Sequence, residues 1–535
     1  MTAVIFDPLE EFEKKHQASH LENTKAFLQE LVKRSGVNIE ENRNTVAKYN
    51  TCQESLLKLR RKKNWLCFWR VLMCITLVLI PLVIMKITPR IRELRQEIQE
   101  HDAKAAELMA QAQRQMEPLN RLFTDRDALD IIHNTLPLMC FHPYFSAEQE
   151  DDMKTNYDFK DDTSQERSTI DVLAGAYNEN PFLFENRRVH TMGTETYHGY
   201  KTITWTETYR DSNGNTQRRT RTETLHATVV KPKPFYSTQV VLRYCAQGGP
   251  DLSFSRDATN LDRKSERQIE HYVKRGERRL DRKTDKAIKN DSDFMSMSNT
   301  EFEVLFDALD RDNEVQFRTL FTPLAQTNMV SLLLSKVGFG DDFNFVKEKR
   351  TNTIITQHSQ GRVINLFPGE YVSYSYDIIE QNFVHKNTEF FKAVYFDFAP
   401  LLAIPVYQER PVHSLKPIPD YARISAQKEG EALANMVPSE YVVHPGTKTP
   451  AILKSTYLKT KNNADEISVT AFSYDIEGRV DIVPVWGGDG RMHGVPVNWD
   501  EYLPLTAKNN FLVSDAEMKN HTPLAKRNGL SIYGA

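Results

Sequence analysis

From Trp65 to Lys86 the chain reads WLCFWRVLMCITLVLIPLVIMK, with Arg70 as its one internal charge and none from Val71 to Met85. A helix of about 20 apolar residues matches the hydrocarbon core of a bilayer, so a run of this length constrains a chain more than any local propensity does. It predicts one transmembrane helix over residues 64–87, in contact with membrane lipid. Trp65 and Trp69 stand at one edge, where amphipathic rings favour the headgroup level, and Arg70 lies close enough to that edge to snorkel. Pro81 is compatible with a membrane helix. The competing reading is a buried core helix. A cleaved signal peptide is excluded, because the run starts far from Met1 and no small-residue cleavage pattern follows it.

The flanks set the expected orientation. Lys58, Arg60, Arg61, Lys62 and Lys63 precede the run, and Lys86, Arg90, Arg92 and Arg95 follow it. Topology follows Lys and Arg rather than net charge, which favours the N-terminus inside and the larger C-terminal part on the far side. The whole chain has a formal net charge of −3, so it has no global basic field and nucleic acid is not an expected partner. Cysteines form no C-x-x-C pattern. Cys140 and Cys245 are either one disulfide or two buried small hydrophobes.

Residues 1–63 read as a helical segment, with apolar positions at Phe12, Leu21, Phe27, Leu28, Leu31 and Val32 and a turn near Ser35 and Gly36. After the run, Ile91, Ile98, Ala105, Ala112 and Leu119 recur every seven residues, with Leu94, Leu108 and Leu122 three positions after members of that series. This heptad pattern predicts a helical stalk over residues 88–122, either self-associating as a coiled coil or packed on the N-terminal helices. Residues 123–345 read as an α+β domain, and residues 346–535 as a mostly antiparallel β region with a helix near Ala426–Met436. The apolar stretch from Phe398 to Val406 reads as a central strand.

Within the α+β domain, residues 194–230 predict a long β-hairpin. Thr202, Thr204, Thr206 and Thr208 alternate with Ile203, Trp205, Glu207 and Tyr209. A two-residue turn at Asn213-Gly214 would set Trp205 opposite Thr222, Ile203 opposite Thr224 and Tyr209 opposite Arg218. Neither face is continuously apolar, so the hairpin is an exposed pair inside a sheet or an arm offered to a protein partner. Residues 262–289 predict an amphipathic helix with a basic face, suited to solvent or to an anionic surface.

Between Met297 and Leu333 lies an FE-x-x-F element (Phe302, Glu303, Phe306), an acidic turn (Asp310, Asp312) and an R-x-x-x-T-P element (Arg318, Thr322, Pro323). This segment resembles a motif of an uncharacterised family of bacterial membrane-anchored proteins, a domain of unknown function. The resemblance implies a protein of the bacterial cytoplasmic (inner) membrane and implies no activity. Thr322 is placed to cap a helix with Pro323 at its first position.

Catalytic and metal motifs fail on inspection. Asp310, Asp312 and Glu314 imitate an EF-hand start, but Val315 stands at the glycine position and Phe321 at the terminal glutamate. No P-loop, H-E-x-x-H or G-x-S-x-G occurs. No catalytic residue, metal ligand or cofactor is expected. The remaining polar loop, Trp486–Trp499, carries Asp489, Arg491 and His493 as a candidate small site, against ordinary turn chemistry for its glycines. The expectation is an α+β single-pass membrane protein acting as a non-enzymatic scaffold. A membrane-tethered enzyme with a non-local site is the alternative.

Overall fold

The computed structural model describes residues 5–75, 83–161, 164–210, 215–290, 294–411, 423–461, 463–518 and 521–534. The chain divides into two compact units. One comprises Glu10–Pro137 and Asn365–Phe396, the other Met1–Leu9, Leu138–Ile364 and Asp397–Ala535.

The first unit is helical. A helix at Gln17–Ser35 ends where Gly36 takes φ 67°, a left-handed conformation that glycine adopts without steric cost, and a second helix runs over Ile39–Ile75. A helix at Thr88–Asn120 returns alongside it. Ile98 and Ala105 pack against Cys52 and Leu56, and the heptad positions Ile91, Leu94, Ala112 and Leu119 are also buried. The heptad face that predicted a self-associating stalk is therefore turned onto the chain's own preceding helix.

This pairing corrects the membrane expectation. No helix among the described residues is long and apolar enough to cross a membrane. A single span at Trp65–Lys86 would hold its flanks on opposite sides of a bilayer. Instead Asn42 Nδ2 donates to Gln115 Oε1 at 3.4 Å, and Arg60 pairs with Asp102 at 2.8 Å. The Lys58–Lys63 block is helix interior, and the middle of the apolar run, residues 76–82, lies outside the described residues. The single-pass, N-inside, inner-membrane assignment and the membrane-anchored scaffold built on it are not upheld.

A second correction concerns Phe398–Val406. A helix spans Tyr376–Leu402, and a 3-10 turn follows at Pro405–Gln408, where the sequence suggested a strand. Nearly every residue from Phe390 to Ile404 is buried, so the helix has no polar stripe to reveal its period. In the first unit its residues Phe391, Tyr395 and Phe396 form an aromatic cluster with Phe12. In the second unit Phe398 sits among Tyr177, Phe182, Phe184 and Tyr244.

The second unit holds two antiparallel sheets. The first contains β1 (Met139–Phe141), β2 (Arg167–Tyr177), β3 (Asn180–Arg210), β4 (Thr216–Cys245), β5 (Ser253–Arg256), β6 (Phe343–Glu348) and β7 (Thr351–Thr356), in the order β1-β2-β3-β4-β7-β6-β5. The second contains β8 (Ile452–Lys461), β9 (Ala464–Trp486), β10 (Met492–Ser514), β11 (Ala525–Arg527) and β12 (Leu530–Gly534), in the order β11-β12-β10-β9-β8. Cys245 is buried and Cys140 exposed, and neither is in a disulfide.

A helix at Gln427–Met436 contacts both sheets, through β2 and β8. Its sequence reads as surface, yet Lys428, Glu429 and Glu431 are all buried. Lys428 Nζ reaches Glu185 on β3 at 3.1 Å, and Glu429 pairs with Arg527 on β11, which also holds Asp171 on β2 at 2.5 Å. Glu431 accepts from the Thr169 backbone at 3.0 Å. Charges buried this way need partners on every side, so they tie the two sheets together at one geometry.

The basic helix occupies Glu266–Lys289 and seats Gly276, Leu280 and Ala287 against the body, with Val304 only 2.2 Å from where a Gly276 Cβ would stand. In the Met297–Leu333 segment the motif residues act in folding. Phe302, Phe306, Phe317 and Phe321 form one ring cluster, Glu303 pairs with buried Arg311 at 2.6 Å, and Asp310 and Asp312 accept from β5 backbone groups. Thr322 Oγ1 accepts from Ala325 N at 3.4 Å, capping Pro323–Leu334.

Candidate interaction surface on the paired ribbons

Two hairpins run far beyond their sheets. β2 pairs with β3 only to Val189, and β7 meets β4 only at Leu242–Cys245. The rest of β3 and β4 is a two-stranded ribbon roughly 65 Å long at about 3.3 Å per residue. β9 and β10 form a second ribbon, which β8 leaves at Phe472 and β12 at Phe511.

The first ribbon does not have the register that a two-residue turn would give. The ladder closes at Arg210↔Thr216, so Thr202 faces Thr224, Thr204 faces Thr222, Trp205 faces Arg221 and Tyr209 faces Gln217. An odd number of residues between the strands shifts each pair by one. The turn residues 211–214, including Asn213-Gly214, lie outside the described residues. Thr hydroxyls meet across the ladder at 3.2 Å (Thr202, Thr224) and 3.3 Å (Thr204, Thr222) on the exposed face.

The opposite face of this ribbon is covered by the second ribbon. Ile203, Leu225 and Ala227 pack against Val495 and Val497, with Tyr197, Trp205, Val229, Val483 and Val485 around them. Gly199 permits the close approach, since a Cβ there would lie 2.2 Å from the Pro496 carbonyl oxygen. Polar contacts fix the alignment. Lys201 Nζ donates to Gly494 O at 3.0 Å, Lys231 pairs with Asp481 at 2.7 Å while lying 4.1 Å over the Trp499 ring, and Gly488 N donates to Glu223 at 2.6 Å.

The candidate polar loop is the turn of the second ribbon. Asp489 accepts from His493 Nε2 at 3.0 Å and from Arg491 N at 3.1 Å, and His493 holds its carboxyl below the usual range. Gly487 and Gly488 rest on Ile203 and Trp205. The structure thus brings Asp489 and His493 together as a turn lock. The Arg491 side chain is exposed and enters no ion pair among the described residues. No group of three or more His, Cys, Asp or Glu among the described residues is placed to hold a metal ion.

What sequence reading missed is the outer face of the second ribbon. Because side chains alternate, the residues between the inward valines point away from the first ribbon. They are Val480, Ile482, Pro484 and Trp486, opposite Asn498, Pro496, Gly494 and Met492. Val480 is 59%, Ile482 73%, Trp486 67% and Met492 56% exposed. Their exposed area is on the order of 500 Å², within the range of a functional patch on a monomer. The signal was present in the sequence: both strands are apolar at even and odd positions alike, and only one face finds cover.

Two strongly perturbed titratable groups lie elsewhere, buried and paired. His358 sits between Asp342 (2.6 Å) and Asp397 (3.3 Å); burial opposes its charge, but the two carboxylates outweigh this and raise its pKa to about 9. Burial also opposes ionisation of Glu185, yet Lys428, Arg243 and Arg187 bring it down to about 2. A cavity of about 310 Å³ beside the Ala147–Tyr157 helix, lined by His142, Asp152, Tyr157 and Glu179 among others, contains neither group. Compared with known proteins, the chain matches no protein-family model, no curated protein and no solved structure.

Proposed function

We propose that this chain is a protein-binding module whose recognition element is the paired ribbon arm, with the Val480–Ile482–Trp486–Met492 face as the docking surface for another polypeptide. The observation that carries this reading is a contiguous apolar strip left uncovered on an arm whose other apolar face is fully used. Side-chain contact, rather than strand addition, is the mode. Pro232, Pro234, Pro484, Pro496 and Pro504 lie in the stretches with free edges, and proline offers no N–H to an added strand. Apolar anchors such as Trp486 are the residue types that dominate binding energy.

A photoreactive amino acid placed at Ile482, compared with one at Thr204 on the opposite exposed face, tests the reading in cells making the protein. A discrete adduct at 482, none at 204, and loss of the adduct in Val480→Lys are expected. No adduct at 482, or equal labelling at both positions, overturns it.

A further inference from the structure

We infer that the occupant of this docking face is a second copy of the same chain, packed face to face across a two-fold axis between the Ile482–Pro496 and Pro484–Gly494 pairs. The inference rests on the docking reading above and names its partner.

Three features point to self-recognition. First, the strip tapers. It runs from the bulky Trp486–Met492 pair at the tip to the smaller Val480–Asn498 pair nearer the base. A two-fold axis at its centre lays the bulky end of one copy on the small end of the other, and Ile482 on Pro484, so a single surface complements itself.

Second, the charges fit. The outward positions from Val480 to Trp486 and from Met492 to Asn498 carry no ionisable side chain, so two copies stack without burying like charges.

Third, the area is adequate. Two such faces bury on the order of 1,000 Å², at the lower bound for a specific interface and in keeping with a micromolar association. The chain already stacks a ribbon on the inner face of β9 and β10, and the second copy repeats that mode on the outer face.

Sedimentation of the purified full chain across micromolar concentrations tests this, with circular dichroism to show that each variant is folded. A monomer–dimer equilibrium is expected, weakened at least ~10-fold by Ile482→Lys. Thr204→Lys, on the opposite face, leaves it unchanged. Trp486→Ala, at the bulky end of the strip, weakens it by roughly 5-fold. A chain that stays monomeric, or a dimer indifferent to Ile482→Lys, overturns the inference. The photoreactive Ile482 variant separates the two readings. An adduct formed only in cells, at a mass other than twice the chain, removes the second copy and keeps the docking face. Absence of any adduct removes both.

Discussion

Lys428 Nζ lies 3.1 Å from Glu185 Oε1, with both side chains buried, one on the helix between the sheets and the other on β3. Neither residue has water to turn to if its partner is removed. Glu185→Gln leaves Lys428, Arg243 and Arg187 around a neutral side chain, and is expected to cost about 3–5 kcal/mol, read from denaturant unfolding. Replacing both Glu185 and Lys428 with methionine is expected to cost less than the single change. A single substitution without measurable effect would show that the contact does not tie the sheets.

His358 gives the second unit a dependence on alkaline pH. Its folded pKa, about 9, is above the ordinary value of 6.5. The bridged, charged histidine therefore contributes fully below pH 6.5, and its contribution disappears as pH rises through about 9. Unfolding midpoints should fall between about pH 6 and about pH 10 by the equivalent of roughly 3 kcal/mol, and His358→Gln should flatten that slope.

The register of the first ribbon can be read covalently. Thr204→Cys combined with Thr222→Cys is expected to form a disulfide in air, because these residues are direct partners. Trp205→Cys with Thr222→Cys, the pairing that a two-residue turn would give, is expected to stay reduced. Thiol titration of the two double variants decides between the registers.

Gly199 holds the ribbons together by having no side chain. Gly199→Ala places a methyl group 2.2 Å from the Pro496 carbonyl oxygen, and one ribbon must move. A loss of about 1–3 kcal/mol is expected, with faster amide exchange confined to the facing stretches of β3 and β10. Unchanged exchange there would mean that the ribbons do not depend on this approach.

Local chemistry made several elements legible. Alternation along Thr202–Tyr209 marks a strand, Gly36 marks a helix end, and Thr322-Pro323 marks a helix start, because each signal is carried by neighbours in the chain. Tertiary structure decided the rest. The heptad face from Ile91 to Leu119 specifies that a helix needs a partner and does not name it; the partner is the Ile39–Ile75 helix, which overturned the single span. Lys428, Glu429 and Glu431 look like surface residues because their compensating charges come from β3, β8 and β11. A one-residue slip in register moved every pair of the first ribbon, which no alternation pattern encodes. The docking face divides in the same way. The sequence determined that β9 and β10 are apolar on both sides. Only the packing of one ribbon on the other decided which side, with Trp486 and Ile482, was left open.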